Sequence, residues 1–297
     1  MVYFYGILIK NIDREDYCQM IDKLYISDLD GTLLNSDASV SEFTKQKLNE
    51  LIANGLNFTV ATARSIATVK HIFDGVNLHL PIILMNGVLI YDFKSGSFIR
   101  KCAIPAPIVA TILSVLKSEN KTALMYKIID GQQRTYFEAS RNEHLAAFIK
   151  ERQTRYQKPF WEVSFDDIAL DDTIYFALLD TRENILPIYE ALKNTPELRV
   201  EMYPDIYSDT LWYLEIFSVE ASKKTSSLYL QKLLEAREMI GFGDNLNDLP
   251  LFEACDFCCA VGNARDEVKV VADIVIDTNN NDGVVRWLDE YAPLENH

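Results

Sequence analysis

Blocks of apolar and polar positions divide the chain into short strands and helices. KLYISDLD, residues 23–30, is a run of apolar and β-branched residues that predicts a buried strand. SVSEFTKQKLNELIANG, residues 39–55, brings Phe43, Leu48, Leu51 and Ile52 near one helical face, with Ser39 or Ser41 as cap and Gly55 as stop. LNFTVATARS (56–65) predicts a second strand ending in small polar residues, IATVKHIFDGVN (66–77) a helix, and PIILMNG (81–87) a third short strand. VLIYDFKSGSFIRKCAI (88–104) predicts a hairpin around Lys94, Ser95 and Gly96. Strands and helices thus alternate, the pattern of a parallel sheet with helical crossovers.

The pattern changes near Pro105-Ala106-Pro107. A helix over 108–120 is followed by strands at 123–129 and 133–140, a further helix, and strands at 173–180, 198–204 and 211–218, with a helix at 183–194 between them. This middle block reads as α+β with antiparallel strands. Alternation then returns, from the helix of SKKTSSLYLQKLLEA (222–236) and the strand EMIGFGD (238–244) to the helix DGVVRWLDEY (282–291). The pattern predicts an α/β fold: one parallel-sheet domain built from 1–104 and 209–297, with a second, α+β domain inserted at 105–208.

At 297 residues the chain exceeds the size at which one core stops growing, which agrees with two domains. The net charge of −15 weighs against nucleic acid or an anionic membrane surface as a partner. It also means that an anionic substrate needs local help from a lysine, a metal or helix amides. Cys18, Cys102, Cys255, Cys258 and Cys259 are too few and too scattered for a disulfide framework, which points to a reducing, cytoplasmic location. The C-x-x-C in CDFCC has no second pair at finger spacing, so buried thiols beside a strand are expected there. The apolar start MVYFYGILIK lacks a basic region and cleavage site and is too short to span a bilayer. Residues 1–19 read as an appendage before a natural start at Met20. The sequence leaves monomer and homodimer both open.

Ligands of open parallel sheets sit at the carboxyl ends of the strands, and four chemically suggestive groups fall at such positions. YISDLDG ends in Asp28 and Asp30, and FTVATAR in Thr62. Lys223 and Lys224 open a helix, and MIGFGDNLND ends in Asp244, Asn245, Asn247 and Asp248. Converging carboxylates repel one another unless a cation sits among them, and hard carboxylate oxygens suit Mg²⁺, which accepts a substrate phosphate as a further ligand. Asp28, Asp244 and Asp248 make such a site, a lysine neutralises the phosphate, Thr62 offers a hydroxyl and Asn247 orients a neighbour. The backbone amides of Leu29, Asp30 and Gly31 form a turn suited to phosphate oxygens. Each feature alone is common as a turn, a cap or a solvated pair. All four in order on one α/β scaffold are much harder to assign to chance.

DLDGTLL resembles the first motif of the haloacid dehalogenase-like superfamily. GFGDNLNDLPLFEAC, followed by AVGNARDEVKVVAD and DTNNNDGVV, resembles the fourth motif and tail of its Cof-like branch. The resemblance covers residues 24 to about 101 and about 210 to 287 and implies a Mg²⁺-dependent phosphatase with a Rossmann-like parallel-sheet core, 1–104 and 209–297, and an inserted α+β cap, 105–208, that selects the substrate. It implies Asp28 as a nucleophile that forms an aspartyl-phosphate and Asp30 as general acid/base. Asp244 and Asp248, with Asp28 and Asp30, would serve the metal. Leu29, Gly31, Thr62, Ala63, Lys223, Asn247 and Asn279 would serve the phosphate. Two departures stand out: Ala63 replaces the glycine common in the second motif, and the third motif offers two lysines, of which Lys223 fits the following small and apolar positions better. The implied substrate is a small phosphorylated metabolite: a sugar phosphate, nucleotide or cofactor phosphate. A phosphomutase, or a non-catalytic binding protein on the same scaffold, are the alternatives.

Overall fold

The computed structural model describes residues 21–139, 142–205, 208 and 210–292; the expectation for residues 1–19 lies outside them. In chain order the first elements are β1 (Lys23–Ser27), α1 (Glu42–Ala53), β2 (Phe58–Val60), α2 (Ile66–Ile72), β3 (Ile82–Leu84), β4 (Leu89–Asp92) and β5 (Ser97–Lys101). Then follow α3 (Ala106–Ser118), β6 (Leu124–Ile129), β7 (Gln132–Phe137), α4 (Glu143–Tyr156), β8 (Trp161–Glu162), β9 (Thr173–Thr181), α5 (Arg182–Leu192), β10 (Leu198–Pro204) and β11 (Leu211–Ser218). The last are α6 (Lys223–Leu234), β12 (Glu238–Gly243), α7 (Leu249–Phe252), β13 (Phe257–Ala260), α8 (Asp266–Val271), β14 (Ile274–Val275) and α9 (Gly283–Tyr291).

The described residues form two compact units, one from 101–221 and one from 21–100 with 222–292. The expected insertion at 105–208 stops short of β11, which pairs antiparallel with both β9 and β10 and so belongs to the inserted unit.

The unit formed by both chain ends holds a parallel sheet of order β14-β13-β12-β1-β2. β1 lies between β12 and β2, with Ile26 opposite both Gly241 and Thr59. Leu24, Ile26, Phe58, Val60 and Phe242 are fully buried in it, as strands covered on both faces require. α1 packs on α9, and α6 on α7. Ser41 caps α1 by accepting from the Thr44 amide at 2.9 Å. Leu48 and Leu51 are buried as the helical spacing predicts, but Phe43 is 40% exposed, with the Arg286 guanidinium 4.6 Å above its ring. Thr44 takes the inward position and gives its hydroxyl to Asp282. β3 departs from the alternating pattern: it touches the parallel sheet through one bridge, Ala61 to Ile83, and otherwise pairs antiparallel with β4 in a small sheet of order β3-β4-β5. Cys258 and Cys259 are buried in β13, and the described cysteines are free thiols.

The inserted unit has a sheet of order β10-β11-β9-β6-β7-β8, antiparallel except for the β7–β8 pair. Its core joins Val109, Ile112 and Leu116 of α3 and Ile185, Ile188 and Leu192 of α5 to Phe176, Leu178, Leu214 and Ile216 of the sheet. No helix among the described residues is long and apolar enough to cross a membrane.

Candidate active site

The carboxyl ends of the neighbouring strands β1 and β12 bring together groups more than two hundred residues apart. The Asp28 amide donates to the Phe242 carbonyl at 2.9 Å, which extends the pairing of β1 with β12 by one residue and delivers the Asp28 side chain to the sheet end. The chain then closes a wide turn over Leu29–Leu33, with the Leu34 amide bonded to the Leu29 carbonyl at 2.9 Å. Gly31 has φ +78°, and a Cβ there would lie 2.5 Å from Asp244 Oδ2. Only glycine admits both the left-handed backbone and this approach.

On the β12 side, one turn organises two acids. Asp248 Oδ2 accepts the amides of Asp244 at 2.9 Å and Asn245 at 3.0 Å, so the carboxylate caps the turn from which Asp244 projects. Thr32 donates its hydroxyl to Asp244 Oδ1 at 2.8 Å, tying the turn after β1 to the turn after β12. Oxygens of Asp28, Asp244 and Asp248 all lie within 4.8 Å of one another.

Lys223 opens α6, whose cap Ser222 forms a reciprocal capping box with Thr225. The helix start is pressed against Gly87, where φ is +96° and a Cβ would fall 2.1 Å from the Ser222 carbonyl oxygen; Ser226 gives its hydroxyl to the Gly87 carbonyl at 2.8 Å. Anchored in this way, the Lys223 ammonium donates to Asp28 Oδ1 at 2.5 Å and to Asp248 Oδ1 at 2.6 Å, with 1% of its side chain exposed. Lys224 points elsewhere, to Glu253 in an exposed pair. The two lysines that the sequence leaves open are therefore separated by burial and by partner.

The charges do not balance. Burial and the charge of Asp248 push Asp28 well above the usual carboxylate range, although Lys223 opposes this. Asp244 is pushed up to about 6, again by burial and then by Asp248. For Lys223, burial favours loss of the proton, but the charges of Asp248 and Asp28 outweigh it and hold the amine charged. One ammonium, bonded to two of three clustered carboxylates, leaves negative charge that a divalent cation would neutralise, and an all-carboxylate donor set fits Mg²⁺.

The other expected residues are placed as follows. Asp30 is half exposed, and its carboxylate lies outside the group of three: Arg64 holds it with Nε to Oδ2 at 2.7 Å and Nη2 to Oδ1 at 2.5 Å. Leu29 is buried, Thr62 is buried and its hydroxyl accepts the Arg64 amide at 3.1 Å, and Ala63 is exposed beside it. Asn247 is exposed on the turn Leu246–Asp248. Asn279 donates its side-chain amide to the Leu34 carbonyl at 2.8 Å and its backbone amide to Asn263 Oδ1 at 2.9 Å. Asn263 in turn donates to the Gly31 carbonyl at 2.7 Å. Arg64, Thr32 and Asn263 were not among the expected site residues. All three lie inside motifs already singled out, but nothing in a single sequence says which polar residue of a motif bonds which loop.

The haloacid dehalogenase-like hydrolase family matches residues 25–288. Among curated proteins, a Bacillus subtilis protein named 5-amino-6-(5-phospho-D-ribitylamino)uracil phosphatase YitU is 26% identical over 90% of this chain and 96% of its own. The Escherichia coli pyridoxal phosphate phosphatase YbhA is 23% identical over 91% of this chain and 98% of its own. Among solved structures, TM0651 from Thermotoga maritima superposes with a TM-score of 0.73 at 25% identity, covering 92% of this chain and 98% of that one. A haloacid dehalogenase-like hydrolase from Bacillus subtilis does so with a TM-score of 0.71 at 26% identity, covering 90% and 99%.

Proposed function

The chain belongs to the haloacid dehalogenase-like hydrolase family, and on that premise we propose that it is a Mg²⁺-dependent phosphatase of small phosphorylated metabolites that works through an aspartyl-phosphate on Asp28. The observation that carries the reading is the buried Lys223 ammonium bridging Asp28 and Asp248 beside Asp244. A structural ion pair needs one carboxylate per lysine; a phosphoryl-transfer site needs a nucleophile, a cation to meet the phosphate and acids left over for a metal.

Asp28 attacks phosphorus: a carboxylate oxygen forms the new O–P bond while the ester O–P bond breaks and its electron pair leaves with the ester oxygen. Asp30 gives that oxygen a proton. In the second half Asp30, now a carboxylate, takes a proton from water as the water oxygen bonds to phosphorus, and the O–P bond to Asp28 breaks with its electrons returning to the carboxylate. Splitting the reaction in this way replaces one slow displacement by two easier ones. Lys223 orients Asp28 and neutralises charge on the transferring group. When Mg²⁺ is bound, Asp28, Asp244 and Asp248 would hold it, and it would supply further positive charge for the phosphoryl oxygens. The amides of Leu29 to Gly31, the Thr62 hydroxyl and the exposed Ala63 and Asn247 form the phosphate cradle. Asn279 supports it at one remove, through Asn263 and the Gly31 carbonyl.

The inserted unit, 101–221, serves as the cap that selects the leaving group and limits access to small molecules. The names of the relatives, phosphatases of a ribitylaminouracil phosphate and of pyridoxal phosphate, support small phosphate monoesters as the substrate class. The test is release of inorganic phosphate from a panel of such esters with Mg²⁺ and with a chelator. Release from at least one ester that stops on chelation is expected; release unaffected by chelation, or none from any ester, would overturn the proposal.

A further inference from the structure

Two cations serve the acids of this site, and they do so differently. Lys223 shares one buried charge between two carboxylates, whereas Arg64 gives Nε and Nη2 together to the two oxygens of Asp30. We propose that Arg64 is the positioning residue for Asp30: its guanidinium fixes the plane and direction of the Asp30 carboxylate so that one oxygen meets the leaving oxygen. This inference rests on the reading of Asp30 as the general acid/base.

The geometry makes the clamp specific. Asp30 sits on the turn after β1 with 48% of its side chain exposed, so without a partner its carboxylate would sample several rotamers in water. Arg64 is held from both sides by backbone bonds: its amide donates to the Thr62 hydroxyl at 3.1 Å and its carbonyl accepts the Met85 amide at 3.2 Å. Its side chain is only 16% exposed. A rooted, planar donor pair facing a mobile carboxylate removes that carboxylate's freedom and sets its angle, which a single-point ammonium cannot do. The fork also keeps Asp30 apart from Asp28, Asp244 and Asp248, whose oxygens crowd within 4.8 Å. Both Asp30 oxygens accept from Arg64 in the resting site, so transfer opens one of the two bonds: the oxygen that stays on Arg64 keeps the carboxyl group's angle, while the freed oxygen carries the proton to the leaving oxygen and later takes one from water.

The experiment compares kcat/KM for p-nitrophenyl phosphate and for an alkyl phosphate monoester in wild type, R64A, R64Q, R64K, D30N and R64A/D30N, with urea unfolding to confirm folding. p-Nitrophenolate leaves without a proton, whereas an alkoxide does not. R64A and R64Q should therefore lose roughly 10²-fold or more on the alkyl ester and less than about fivefold on p-nitrophenyl phosphate. In the D30N background R64A should cost less than about twofold on either ester, because its effect passes through Asp30. R64K should recover less than about a tenth of the alkyl-ester loss. Equal losses on both esters, an undiminished R64A effect in the D30N background, or full recovery by lysine would overturn the inference. D28N is assayed alongside: if it retains turnover, the phosphatase mechanism itself falls, whereas an inactive D28N with a uniform R64A loss overturns only the role of Arg64.

Discussion

Removing the Lys223 ammonium tests the electrostatics of the site without any substrate. In K223A, oxygens of Asp28, Asp244 and Asp248 remain within 4.8 Å of one another, and the cation that bridged two of them at 2.5 and 2.6 Å is gone. Deleting one partner of a buried pair costs roughly 3–5 kcal/mol, since the remaining charge stays desolvated. For a folded unit of this size that corresponds to a fall in Tm of roughly 6–20 °C. The penalty has a definite pH sign. Asp28 and Asp244 already titrate above their ordinary values in the folded protein, Asp244 at about 6. Their contribution is therefore most favourable at acid pH and is lost as pH rises through those raised values. Without Lys223 both shift further up, so K223A should be damaged more at pH 8 than at pH 5. Urea unfolding at both pH values measures this, with K224A as the control. Its exposed pair with Glu253 predicts a change below about 1 kcal/mol. A K223A protein as stable as K224A at pH 8, or more damaged at pH 5 than at pH 8, would show that Lys223 does not neutralise these acids.

Two further outcomes follow from other parts of the molecule. Glu215 of β11 titrates at about 7, pushed up mainly by burial and by Glu201, so its contribution is intact below its unfolded value near 4.5 and fades as pH rises through 7. E215Q should stabilise the inserted unit at pH 8 by on the order of 2 kcal/mol and flatten its stability between pH 5 and 8, read by urea unfolding; an unchanged slope would contradict the burial argument. G31A forces a methyl toward Asp244 at a left-handed backbone position, and should cost roughly 1–3 kcal/mol in stability and abolish phosphate release; wild-type activity in G31A would show that the turn tolerates rearrangement.

The acids and the lysine of the site were legible because each falls within a short run whose position at a strand end or helix start follows from local pattern alone. Asp28 follows the β1 run, Asp244 and Asp248 follow the β12 run, and Lys223 follows a serine cap. Alternating periodicity likewise conveyed the α/β class. Features that depend on a partner distant in sequence were not legible. Phe43 satisfies the helical period yet faces outward, because Thr44 has a hydrogen-bond partner in Asp282, 238 residues away. β3 has the composition of a buried parallel strand, but the turn through Met85 and Asn86, both at positive φ, folds β4 back onto it. The end of the inserted unit at Ala221, rather than at 208, was set by the pairing register of β11 with β9 and β10 and not by composition. The Arg64 clamp belongs to the same class: an arginine after a strand is common, and only the fold shows which carboxylate it meets.

If the proposed mechanism holds, Asp28 is phosphorylated during turnover. Its most direct test is rapid acid quench of the enzyme mixed with a phosphate ester that it hydrolyses, followed by mass spectrometry of the peptide carrying residues 24–34. A phosphate on Asp28 is expected in wild type and, in D28N, neither that adduct nor release of inorganic phosphate, with the unfolding midpoint showing the variant folded. Steady release of phosphate by D28N, or a phosphoryl adduct on another residue, would contradict it.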